Sequence, residues 1–165
     1  MNKLLFPQDV VGGSFWLISL AMIGAAIFFF LERGRLSKKW NTVMTLIGVI
    51  ALMSSIHYFY AKNLWVMNGQ APIALRYIDW TLTFPLQILT FYVMLSTVTD
   101  VKRGMFWRLL VGTLVWVIAQ FLGAAGYMSV TLGFLVGLVG WLYIIGELYM
   151  GDAGRKNAAC GNEHV

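Results

Sequence analysis

Five residues that can carry charge or hydrogen bonds share one face of an apolar stretch: Arg76, Asp79, Thr83, Gln87 and Thr90. At ~100° per residue, Thr83, Gln87 and Thr90 fall within about 80° of Asp79, and Arg76 lies one turn before it on nearly the same line. After Asp79 no further charge follows until Asp100. A charge at the centre of a bilayer costs roughly 2.5–3.5 kcal/mol on insertion scales, so an ionisable group at that depth is a functional candidate by default. Lipid cannot satisfy such a stripe, which must face a protein interior or an aqueous path. His57 adds a second proton-exchanging group. Counting ~1.5 Å per residue from the ends of their stretches, His57 and Asp79 both lie about 6–8 Å below one membrane boundary. Groups at equal depth on adjacent antiparallel helices can meet, and a histidine beside a carboxylate forms a proton-sharing pair. The plainer alternative is that His57 only satisfies a buried donor or acceptor.

The elements that position these residues are apolar helices. The 165 residues are 59% hydrophobic and 12% charged, far from the balance of a water-soluble domain. Charge-free runs at 10–31, 40–61 and 80–99 each suit one span, and the third is expected to begin near Leu75. Residues 109–146 form a run of 38 without charge, too long for one span, and Gly123-Ala124-Ala125-Gly126-Tyr127-Met128-Ser129 is its natural break. The expectation is an all-α transmembrane fold in one membrane domain over 1–165, with helices at about 10–31, 40–61, 74–97, 107–126 and 130–150 and a tail at 151–165.

The net charge of +5 reads as a topology device. Arg33, Arg35, Lys38, Lys39, Lys102, Arg103, Arg108, Arg155 and Lys156 fall on one side of five spans, against Lys3, Lys62 and Arg76 on the other. Positive loops stay inside, which puts the N-terminus outside and the tail in the cytoplasm, in an inner (plasma) membrane. These residues flank spans and form no long basic run, so nucleic acid is not an expected partner. The lipid bilayer is. Residues 1–9 lack the apolar core and small-residue site of a cleaved leader, and none is expected. Cys160 is the sole cysteine, so neither a disulfide framework nor metal-ligand spacing arises from it.

Arg76-Tyr77-Ile78-Asp79-Trp80, followed by Thr83, Pro85 and Gln87, resembles the third helix of the microbial rhodopsins, and within them of the proteorhodopsins. Ile56-His57-Tyr58-Phe59-Tyr60, with 22 residues from His57 to Asp79, is similar to the proteorhodopsin second helix. Val111-Gly112-Thr113-Leu114-Val115 with Gly123-Ala124-Ala125-Gly126 resembles the fourth, and Trp141-Leu142-Tyr143-Ile144-Ile145-Gly146-Glu147-Leu148 the fifth. The resemblance implies five helices of a seven-helix bundle around retinal, and a light-driven outward proton pump, an ion transporter and no enzyme. It makes Asp79 the Schiff-base counterion and proton acceptor, His57 its partner, Arg76 a tuner of the outer half-channel, and Thr83 a hydrogen-bond donor to the Asp79 carboxylate. Trp80 would stack on the polyene, with Trp141, Phe134 and Trp116 at the ring end of the pocket. For these aromatics, other than Trp80, ordinary core or interface packing is the competing account. Gln87 would tune the colour toward blue absorption, unless it serves only an interhelical hydrogen bond.

Two departures from the family pattern matter. Thr90 stands where the pumps carry the carboxylate that returns a proton from the cytoplasm, and threonine is no acid of useful pKa. Slow reprotonation is the expectation, with a photosensor signalling to a membrane partner as the alternative. Glu147 could substitute as donor or could face the headgroups. The second departure is the family's retinal-binding lysine in the seventh helix: Lys3, Lys38, Lys39, Lys62, Lys102 and Lys156 all lie in loops, tails or span ends. Sixth and seventh helices are absent after the 151–157 stretch, so the chain is expected to be a fragment, or one part of a split protein completed by another chain. Without them it could be inactive. Homo-oligomerisation is a further expectation for a bundle with open apolar and polar faces.

Overall fold

A computed structural model describes residues 9–70, 73–152 and 154–155. Five helices carry the described chain: α1 Val10–Glu32, α2 Asn41–Asn68, α3 Ile73–Val98, α4 Arg103–Ala124 and α5 Val130–Tyr149. All five are long and apolar enough to cross a membrane, and no strand occurs among the described residues. Their outer surfaces suit hydrocarbon, with Leu17, Leu31 and Val139 each about two-thirds exposed. Two compact units divide the chain, Met1–Thr83 and Phe84–Val165, with the boundary inside α3.

In the first unit α1 and α2 pack side by side. Asp9 caps α1 by accepting from the Gly12 amide at 2.8 Å. Its carboxylate also accepts from the Trp65 indole N–H, 3.1 and 3.0 Å from its two oxygens, and so ties the start of α1 to the end of α2. At mid-helix Ser19 and Ser55 exchange hydrogen bonds. Deeper still, Gly48 leaves room for the Phe30 ring, which a Cβ there would approach to 2.8 Å.

The second helix extends past its expected end at residue 61 to Asn68. Lys62 does not stop it, because its ammonium rests over the rings of Trp16 and Phe59, 4.9 and 4.5 Å from their centroids. Gly69 closes the helix in the left-handed region at φ 69°, where a side chain would be strained. Likewise α4 begins at Arg103 rather than near 107. Basic residues at a span end reach the headgroups with their charged tips, so they do not terminate a helix.

In the second unit α4 and α5 form a hairpin. Gly126, at φ 81°, makes the turn and Ser129 caps α5 through the Leu132 amide. Glycines bring the two backbones into contact: a Cβ on Gly133 would lie 2.8 Å from the Ala119 carbonyl oxygen. Beside the hairpin, Leu95 of α3 packs with Met105 and Leu109 of α4, both fully buried. The residues of the 151–165 tail, apart from 151–152 and 154–155, lie outside the described chain, and Cys160 and Lys156 with them.

Candidate functional site

The site begins with the two groups that sequence arithmetic placed at equal depth. His57 on α2 and Asp79 on α3, both half-buried, line one cavity of about 270 Å³ together with Met53, Ile56, Tyr60, Leu75, Ile78 and Leu82. The wall is almost entirely apolar apart from this pair, which concentrates whatever proton chemistry occurs there on two side chains. The Nδ1 atom of His57 is buried without a hydrogen-bond partner. An orphaned ring nitrogen beside a carboxylate is poised to accept or donate a proton.

The remaining polar residues of α3 fall into two groups. In the first unit, Arg76 is exposed one turn before Asp79, and the Trp80 ring stands edge-on to Tyr77 at 5.3 Å. Thr83 is 3% exposed and donates its one hydroxyl proton to the Asp79 backbone carbonyl at 2.9 Å. The expected bond to the Asp79 carboxylate is therefore not made, since a threonine has a single O–H to give and a helix offers the i−4 carbonyl at ideal range. In the second unit, Gln87 is exposed, whereas Thr90 is buried and gives its hydroxyl to the Leu86 carbonyl at 2.7 Å.

The aromatic residues of the second unit are distributed unevenly. Trp116 packs against Phe84, with ring centroids 4.8 Å apart. Phe134 and Trp141, seven residues apart and hence on one stripe of α5, are 54% and 43% exposed. Aromatic faces of this kind would suit a long conjugated cation such as protonated retinal, the chromophore that the sequence resemblance implies. The described lysines do not complete such a site: Lys38 and Lys39 precede α2, Lys102 precedes α4, and Lys62 is engaged by aromatic rings.

Glu147 corrects a sequence expectation. It does not face headgroups: its side chain is 10% exposed and receives a hydrogen bond from Arg108 at 2.8 Å, while the same nitrogen of Arg108 reaches Asp152 at 2.6 Å. The signal was present in the sequence, because Arg108 and Glu147 bound the charge-free run and a hairpin must bring its ends to the same depth. Ser19, Ser55 and the Asp9–Trp65 bond carried no comparable signal.

The relatives agree with this architecture. The family model for bacteriorhodopsin-like proteins matches residues 10–159. The blue-light absorbing proteorhodopsin of Gamma-proteobacterium Hot 75m4 is 46% identical over 145 residues, covering 88% of this chain and 58% of that protein. The green-light absorbing proteorhodopsin of Gamma-proteobacterium EBAC31A08 is 41% identical over 156 residues, 94% of this chain and 61% of that one. The chain thus spans about three-fifths of the length of these curated relatives. The crystal structure of the blue light-absorbing proteorhodopsin from Med12 superposes with a TM-score of 0.80 at 38% identity, over 92% of this chain and 73% of that one. A multi-pass membrane protein with this third helix and these relatives belongs to the bacteriorhodopsin-like family, and its five helices are proteorhodopsin-like.

Proposed function

We propose that the chain works in a retinal-binding, light-driven pump that moves protons outward across the plasma membrane, with its N-terminus outside. The observation that carries this reading is the shared cavity of His57 and Asp79 in a proteorhodopsin-like chain. Retinal, when bound, would supply the light-triggered change that releases a proton. Asp79 serves as counter-charge and acceptor for that proton, and His57 shares it across the cavity. Trp80, Trp116, Phe134 and Trp141 are the residues that would hold the polyene and its ring, and Arg76 would set the potential on the outer side. Gln87 would present a side-chain dipole to the polyene and so tune its absorption toward the blue. The covalent attachment would use a lysine other than the six of this chain.

Thr90 makes the inward half of the cycle slow. With no carboxylic acid there, and with its hydroxyl committed to Leu86, it cannot return a proton. Glu147 does not replace it, its carboxylate being engaged by Arg108 at 2.8 Å. The same observation favours a second reading, a photosensor whose long-lived state signals to a membrane partner.

The test is external pH under illumination, in cells supplied with retinal. The chain would be expressed alone and joined to the last two helices of the blue-light relative. Acidification by the joined form, abolished by a protonophore and by Asp79→Asn, is the expected result. Colour without a pH change would favour the photosensor.

A further inference from the structure

Eight hydroxyls inside the described helices bond within their own helix, whereas two serines bond across to another. Thr45, Thr81, Thr83, Thr90, Thr97 and Thr113 each donate to the carbonyl four residues back on their own helix. Ser14 and Ser96 donate to the carbonyl three back. This local bond is the default for a hydroxyl in an apolar setting. Ser19 and Ser55 instead reach across. The Ser19 hydroxyl donates to the Ser55 carbonyl and the Ser55 hydroxyl to the Ser19 carbonyl, each at 3.1 Å, with the two oxygens 3.4 Å apart. They are 1% and 2% exposed.

Ser55 precedes His57 by two residues, a turn of about 200° around α2. The stripe of α2 that meets α1 is Gly48, Ala51 and Ser55, all buried. Met53, Ile56, His57 and Tyr60, which line the cavity with Asp79, occupy the opposite side. Gly48 seats the Phe30 ring toward one end of this contact and Asp9 holds Trp65 at the other, and the serine pair is the polar tie between them that lies nearest to His57 in sequence. Rotation matters: at a side-chain radius of about 6 Å, a turn of about 20° displaces the imidazole by about 2 Å.

We propose that Ser19 and Ser55 are positioning residues for His57: their reciprocal bonds fix the rotation of α2 and so aim the imidazole into the cavity it shares with Asp79. The inference rests on the reading of His57 and Asp79 as a proton-handling pair. The charged groups acting on His57 are Asp79 and Arg76 of α3. From α1 there is no ionisable side chain between Asp9 and Glu32.

The experiment is a pH titration of ¹⁵N-histidine resonances of Met1–Val165 in lipid nanodiscs. The chain has two histidines, His57 and His164, so the tail residue is an internal reference. In S19A/S55A the His57 midpoint moves by about 0.5 pH unit or more, a threefold change in proton affinity, while His164 stays put. The single variants S19A and S55A each remove one bond and shift the midpoint by less. They also carry the test should the double variant lose its helical circular dichroism. A lowered melting temperature with the His57 midpoint unmoved would reduce the serines to packing and overturn the proposal. Failure of the pump reading looks different: the titration moves as expected, yet illumination transports no protons.

Discussion

Arg108 and Glu147 meet at 2.8 Å, from α4 and α5, and the 38 residues between them carry no charge. A single guanidinium nitrogen thereby holds the carboxylate of Glu147 and that of Asp152 just past α5. Because Glu147 is nearly buried, removing its carboxylate leaves Arg108 with only the partly exposed Asp152. Glu147→Gln is expected to lower the melting temperature by about 2–4 °C, measured by circular dichroism in nanodiscs. An unchanged melting temperature would mean that the pair is no more than a surface contact.

Asp152 gives the same cluster a pH signature. The hydrogen bond from Arg108 holds its carboxyl below the ordinary aspartate value of 3.8. The folded-state pKa is depressed, so the stabilisation is fully present above the unfolded value and disappears as pH falls through the lower folded one. The melting temperature of the parent should exceed that of Asp152→Asn by a constant margin at pH 5–7. That margin should close below about pH 4. A margin that instead closed near neutrality would point to a different titrating group.

These contacts show what could and could not be read from residues alone. Depth arithmetic brought His57 and Asp79 to one cavity, since a helix advances ~1.5 Å per residue whatever its neighbours do. Span ends were less legible. Lys62 reads as a terminus in one dimension, but Trp16, 46 residues away, offers its ring and lets α2 continue. The choice made by a hydroxyl was invisible: Thr83 turns to its own helix and Ser19 to its neighbour, although both are short alcohols in apolar surroundings.

Proton return should be governed by Thr90 and be indifferent to Glu147. In the pigment, Thr90→Glu places a carboxylic acid at the buried position and accelerates photocycle recovery by at least tenfold at pH 7, about 1.4 kcal/mol off the barrier. Glu147→Gln leaves recovery unchanged. Flash photolysis of the two variants checks both halves, and a slowed cycle in Glu147→Gln would restore that residue as a donor.

Gln87 sits exposed on α3, two turns past Asp79. On the proposed reading, replacing its amide by a hydrocarbon removes a dipole that would act differently on the ground and excited states of a bound polyene. Gln87→Leu should therefore shift the absorption maximum to longer wavelength. Equal maxima in the two pigments would assign the amide to packing alone.

The α4–α5 contact supplies a prediction that needs no chromophore. A Cβ at Gly133 would come within 2.8 Å of the Ala119 carbonyl oxygen and 2.9 Å of the Gly123 Cα, both main-chain atoms that cannot swing aside. Gly133→Ala must push the helices apart, which opens the close approach at Gly140, where a Cβ would lie 2.9 Å from the Trp116 amide nitrogen. Gly24 has open space, so Gly24→Ala meets nothing and gains helix propensity. Overpacking of this kind costs about 1–3 kcal/mol, so Gly133→Ala should unfold at lower denaturant than the parent and Gly24→Ala at the same or higher. If both alanines behaved alike, the hairpin would be looser than its backbone contacts imply.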